Sequence, residues 1–139
     1  MANKPVRIVI DTNLWISFLI NDREYSRLDK LILANKVRLI FSDELLLEFL
    51  EVVERPKFRR YFSRTDIQVL FENIQNYAEF IKVRKIVNIC RDKKDNFLLA
   101  LTEVGKADFL VTGDEDLLIL KKYKRTKIIK ISDFLSSHI

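Results

Sequence analysis

One cysteine (Cys90), one histidine (His138) and two glycines (Gly105 and Gly113) are all that this chain of 139 residues has of three residue types on which much enzyme chemistry depends. A lone cysteine closes no internal disulfide and furnishes no Cys-rich zinc site. A lone histidine beside the C-terminal residue argues against Ser-His-Asp and Cys-His triads and against a His-ligated metal. Neither glycine belongs to a dinucleotide-binding or phosphate-cradling glycine loop. Apolar runs are short, Val6 to Ile10 being interrupted by Arg7, so no stretch of about 20 apolar residues is available to span a membrane. The start, Met-Ala-Asn-Lys-Pro, lacks the apolar region of a signal peptide, and the cytoplasm is the expected compartment.

What the chain does have is carboxylates and an excess of positive charge. There are 25 Lys plus Arg against 20 Asp plus Glu, a net charge of +5, with 48% hydrophobic residues. This describes one globular domain over residues 1–139, of a size that buries roughly two-thirds of its unfolded surface. If such a chain is an enzyme, its chemistry is that of carboxylates, which act on phosphates through hard cations such as Mg²⁺ or Mn²⁺.

Strand-like and helix-like patterns alternate along the chain. Val6 to Ile10 suits a buried parallel strand. A helical stretch from about Leu14 to Ala34, broken near Asn21-Asp22, leads to a second strand over Lys36 to Phe41. Ser42 is placed to cap the next helix, which ends before Pro56. Thr65 to Gln68 reads as a capping box opening a helix to about Ala78, and Phe80 to Val87 as a third strand. A helix over Asp95 to Val104 is closed by Gly105, and Asp108 to Thr112 forms a fourth strand. A short helix over Glu115 to Leu120, a strand over Lys127 to Ile131 and a terminal helix capped by Ser132 complete the pattern. Strands separated by helices imply right-handed crossovers, hence an α/β fold: a three-layer α/β/α sandwich with a mainly parallel central sheet.

In such sheets ligands gather at the carboxyl ends of the strands. Asp11 follows the first strand and Asp114 the fourth, so both project from that edge. Glu48, and Asp92 or Asp95, come from helix starts that reach the same edge. Four converging carboxylates about 6 Å apart, at an effective dielectric near 20, repel by roughly 3 kcal/mol per pair, a cost that a divalent cation removes.

Four segments together resemble the PIN-domain family: Ile10-Asp11-Thr12-Asn13; Phe41 to Glu48 running on to Arg55-Pro56-Lys57-Phe58; Arg91-Asp92-Lys93-Lys94-Asp95-Asn96-Phe97; and Val111 to Leu118. The likeness is greatest to the branch that contains toxins of toxin-antitoxin systems. It implies a catalytic set of Asp11, Glu48, Asp95, Asp114 and Asp116, with Asp11, Asp95, Asp114 and Asp116 as metal ligands and Asn13 and Thr112 in support. It selects Asp95 over Asp92, which is left to cap the helix. The implied activity is Mg²⁺- or Mn²⁺-dependent hydrolysis of RNA phosphodiester bonds, the implied partners an antitoxin protein and a second copy of the chain, with no membrane involved.

Two basic runs speak for RNA as well. Arg55 to Arg64 includes Arg55, Lys57, Arg59 and Arg60, interleaved with Phe58, Tyr61 and Phe62; Lys121 to Lys130 includes Lys121, Lys122, Lys124 and Arg125. Such runs fit phosphate contacts and base stacking. Trp15 is expected in the core near the site. A haloacid-dehalogenase-type phosphatase needs a second Asp where Asn13 stands, and a receiver domain fits Thr112-Gly113-Asp114 poorly. The remaining rivals are a non-catalytic RNA-binding or scaffold protein on the same fold and a housekeeping RNA-processing nuclease.

Overall fold

The computed structural model describes residues 4–138; Met1 to Asn3, on which the expectation about a signal peptide falls, and Ile139 lie outside the described residues. Its first strand, β1 (Val6–Ile10), carries β-branched residues that become fully buried toward its carboxyl end. Next come α1 (Thr12–Ile20), α2 (Arg23–Leu33), β2 (Val37–Phe41), α3 (Asp43–Val53) and a 3₁₀ turn at Pro56–Phe58. After these lie α4 (Arg64–Tyr77), β3 (Glu79–Phe80), α5 (Lys93–Val104), β4 (Phe109–Val111) and α6 (Glu115–Leu118). The chain ends with β5 (Lys122–Tyr123), β6 (Thr126–Ile129) and α7 (Ile131–His138).

The sheet has the order β3-β2-β1-β4-β6-β5. All neighbours are parallel except β5 and β6. Helix α2 packs on β2 and against α7, and α5 lies across β1 and β2, giving the three-layer α/β/α arrangement. Trp15, Phe41, Phe49 and Phe134 are the largest fully buried side chains, and Trp15 is ringed by Phe18, Tyr25, Phe41 and Phe49. Among the described residues no helix is long and apolar enough to cross a membrane.

Several boundaries differ from those expected, each for a local reason. The first helix begins at Thr12 because Asp11 caps it, its carboxylate accepting the Asn13 N–H. The capping box of α4 uses Ser63 and Asp66 in reciprocal hydrogen bonds, two residues earlier than Thr65-Gln68. The third strand stops at Phe80 where Phe80 to Val87 was expected. It pairs only with Ile40 and Phe41, and β2 turns into α3 at Ser42, so the chain beyond Ile81 has no strand beside it. The last strand is shifted to Thr126–Ile129 and gains a hairpin partner in β5, while α7 starts at Ile131, which puts Ser132 in its first turn and not at its cap.

Gly105 does close α5, but not by adopting a left-handed conformation; that falls to Lys106, at φ 53°. A Cβ on Gly105 meets Ile40 Cγ2 at 2.8 Å and the Leu101 carbonyl oxygen at 2.9 Å, so glycine is required there by the close approach of α5 to β2.

Candidate metal centre

Because β1 and β4 are parallel neighbours, the residues that follow them emerge side by side. Asp11 follows β1 and is buried; Thr112 follows β4 and is buried beside it. The Thr112 hydroxyl donates to Asp11 Oδ2 at 2.8 Å and accepts the Asp114 N–H at 3.0 Å. Asp114 caps α6, its Oδ1 accepting the Asp116 N–H at 2.9 Å. One relay of short hydrogen bonds thus fixes three acids relative to one another. Asp95 reaches the group from α5, where it is the third residue and 6% exposed, while Asp92 caps that helix through the Lys94 N–H.

Each of Asp95, Asp114 and Asp116 offers a carboxylate oxygen, all within 4.8 Å of one another. Burial, followed by the negative charges of Asp114, Asp92 and Asp11, pushes the Asp95 carboxyl up to about 7. Burial also raises Asp11, against the hydrogen bonds from Thr112 and Asn13 that favour its charged form. Both shifts favour the protonated forms of Asp95 and Asp11, and a nearby positive charge acts in the opposite direction. An all-oxygen donor set of this kind suits a hard divalent cation and offers nothing to a soft one.

The sequence matches the family model described as PIN domain over residues 7–116. The chain belongs to the PIN-domain family. It is also 30% identical to an uncharacterized protein of Methanocaldococcus jannaschii over 135 residues, 96% of this chain and 85% of that protein. The PIN-domain match runs from β1 through Asp116 and so takes in all five acids, while the Lys121 to Lys130 run lies beyond it.

Within this PIN domain the remaining site residues are placed as follows. Glu48 stands in the middle of α3, outside the Asp95-Asp114-Asp116 group; its Oε2 accepts the Thr12 hydroxyl at 3.0 Å, and Lys94 Nζ lies 3.4 Å from its Oε1. Asn13 supports Asp11 through its backbone N–H, at 3.3 Å, and its side chain is exposed. Asp11, Asn13, Gly113 and Asp114 line a small cleft of about 280 Å³. Arg55, Lys57, Arg59 and Arg60 are exposed around the 3₁₀ turn, but Phe62 is buried and Phe58 half-buried against it, so base stacking in that run is left to Tyr61 alone. Lys122, Lys124 and Arg125 belong to the β5–β6 hairpin, whose turn, with Lys124 and Arg125, precedes β6 and therefore lies at the sheet edge opposite the carboxylates, while Lys121 precedes β5 and its carbonyl accepts the Ile128 N–H.

Four further residues belong to the site's surroundings. Thr12 and Lys94 hold Glu48. Arg91 reaches Asp116 Oδ2 at 3.5 Å. Asn96 is buried, its Oδ1 accepting the N–H groups of Ile89 and Cys90 at 3.0 and 2.7 Å and its Nδ2 donating to the Cys90 carbonyl at 2.9 Å. It ties the segment before Asp92 to the helix that carries Asp95. A polar residue among the apolar positions of that helix was the available signal for Asn96; nothing local in the sequence pairs Thr12 with Glu48.

Proposed function

We propose that this PIN-domain protein is a metal-dependent endoribonuclease whose catalytic acids are Asp11, Glu48, Asp95, Asp114 and Asp116. The observation that carries the reading is the convergence of Asp95, Asp114 and Asp116 oxygens within 4.8 Å, beside a buried Asp11 held by Thr112. Asp95, Asp114 and Asp116, with Asp11 adjoining, would hold Mg²⁺ or Mn²⁺. When bound, the cation supplies an activated water and stabilises the oxygen that leaves phosphorus. Thr112 holds the Asp11 carboxylate and the Asp114 backbone in place through its two hydrogen bonds, which orients both acids at the strand ends. Glu48, steadied by Thr12 and Lys94, stands beside the cluster, and Arg91 places a cation beside Asp116 where an anionic substrate approaches.

The biological role that fits the motif set is that of a toxin acting in the cytoplasm, working as a homodimer and restrained by an antitoxin that covers the acidic cleft. A housekeeping RNA-processing nuclease has the same site, and growth arrest on expression, relieved by Asp95→Asn, separates the two. The direct test uses 5′-labelled single-stranded RNA with Mg²⁺, Mn²⁺ or EDTA, beside the Asp95→Asn protein. Cleavage that requires metal and disappears in the variant supports the reading. Absence of both metal binding and cleavage in a folded protein overturns it in favour of a non-catalytic RNA-binding or scaffold role.

A further inference from the structure

The amino ends of β1, β2, β4 and β6 frame a second and larger depression, a cleft of about 860 Å³ lined by Lys4, Arg7, Arg38, Lys106, Arg125 and Lys127 together with two acids, Glu79 and Asp108. It lies at the opposite edge of the sheet from Asp11, the five residues of β1 separating the two by about 16 Å at the usual rise of a strand. The two acids are already engaged. Arg7 forms a bidentate pair with Glu79, at 3.0 and 2.8 Å, and Arg125 pairs with Asp108 at 3.0 Å. Arg38 is 4.0 Å from the same Glu79. Among the described residues no carboxylate lies within ion-pair reach of Lys4, Lys106 or Lys127, and all three are exposed.

We propose that this cleft is a binding surface for the sugar-phosphate backbone of RNA, separate from the carboxylate edge; the choice of RNA rests on the nuclease reading above. The cations come from four different segments and are spread across the edge, from Arg38 in β2 to Lys127 in β6. With β1 and β4 between them, those strands stand about 14 Å apart at ordinary strand spacing. Charges distributed over such a span meet successive phosphates, and each one engaged releases counterions. The arrangement favours RNA over an acidic peptide because the cleft's three guanidinium groups already face its own carboxylates, Arg7 through a bidentate pair with Glu79, Arg38 at 4.0 Å from the same Glu79 and Arg125 through one contact with Asp108. The ammonium groups that are left act as point charges, well suited to phosphate oxygens. The hairpin brings Arg125 and Lys127 to this edge, which gives the basic run beyond the PIN-domain match a place in the molecule.

The experiment measures binding of a fluorescein-labelled polyuridine RNA by anisotropy in EDTA, where no cleavage interferes, across a series of salt concentrations. The protein with Lys106→Glu and Lys127→Glu is compared with wild type and with Arg27→Glu and Lys30→Glu, exposed positions on α2 that make the same change in net charge. The cleft variant is expected to bind at least tenfold more weakly, with a shallower dependence on salt, while the α2 variant stays within about threefold of wild type. Thermal unfolding establishes that each protein is folded, and the milder Lys106→Gln and Lys127→Gln pair is expected to fall between. Unchanged affinity in the cleft variant, an equal loss in the α2 variant, or a cleft variant that loses polyglutamate binding while keeping RNA overturns the proposal. Cleft-dependent binding without any metal-dependent cleavage leaves the cleft standing and removes the nuclease, whereas cleavage with cleft-independent binding does the reverse.

Discussion

The Thr112 hydroxyl joins two strands of the PIN-domain sheet by donating to Asp11 Oδ2 at 2.8 Å while its oxygen accepts the Asp114 N–H. Asp11 is buried and Asp114 half-buried, so removing the hydroxyl leaves a carboxylate without one of its stabilising donors and a backbone N–H without its acceptor. Thr112→Val is expected to lower stability by about 1–3 kcal/mol in denaturant titrations and to cut RNA cleavage more than tenfold. Thr112→Ser, which keeps the oxygen, is expected to restore most of the activity. Equal activity in the Val and Ser variants shows that the relay does not position the acids.

The acid cluster makes the metal-free protein sensitive to pH. Asp95 titrates near 7 in the fold against an ordinary 3.8, so between about pH 4 and pH 7 the folded chain holds a proton that the unfolded chain has released. Stability contributed by this group is therefore full below that window and falls as pH rises through it, by up to a few kcal/mol. Melting of the protein in EDTA is expected at a lower temperature at pH 8 than at pH 5.5, with Mg²⁺ or Mn²⁺ reversing the loss at pH 8. Asp95→Asn flattens the profile and raises the metal-free melting temperature at pH 8 while abolishing cleavage. A steeper profile in the variant contradicts the assignment of the proton.

Asp92 and Asp95 test the site from another side. Asp92 is exposed and caps α5 through the Lys94 N–H, and asparagine caps a helix about as well as aspartate. Asp92→Asn is expected to retain most of the cleavage rate and to unfold within about 0.5 kcal/mol of wild type. Complete loss of activity in a folded Asp92→Asn protein transfers the ligand role from Asp95 to Asp92.

The order of strands and helices and the carboxylate edge were legible because they depend on local signals. The β-branched run of β1, the Ser42 cap and the placement of Asp11 and Asp114 after parallel strands can all be read from neighbouring residues. The short third strand was not legible, since its length is set by where β2 ends. The hairpin was not legible for a similar reason: Lys122 and Tyr123 pair backward with Lys127 and Thr126, which turns Lys124 and Arg125 away from the acids. Glu48 lies in α3, the helix expected after the second strand, but its partners Thr12 and Lys94 come from two other elements and could not be anticipated from spacing.

Cys90, the one cysteine of the chain, offers a readout of metal binding that does not depend on catalysis. Burial raises its thiol above the ordinary value, and the negative charges of Asp95, Asp114, Asp116 and Asp92 raise it further. The thiolate is the reactive form, so the field of the acid cluster slows its reaction. A cation bound among those carboxylates cancels much of that field and shifts the thiol toward ionisation. At pH 8 the rate of reaction with a thiol reagent is expected to rise several-fold on addition of Mg²⁺ or Mn²⁺ and to return to its starting value with EDTA. Asp114→Asn, which removes one of the charges, is expected to start from a faster rate and to respond less to metal. A wild-type rate that ignores metal, in protein that demonstrably binds it, places the cation elsewhere than among Asp95, Asp114 and Asp116.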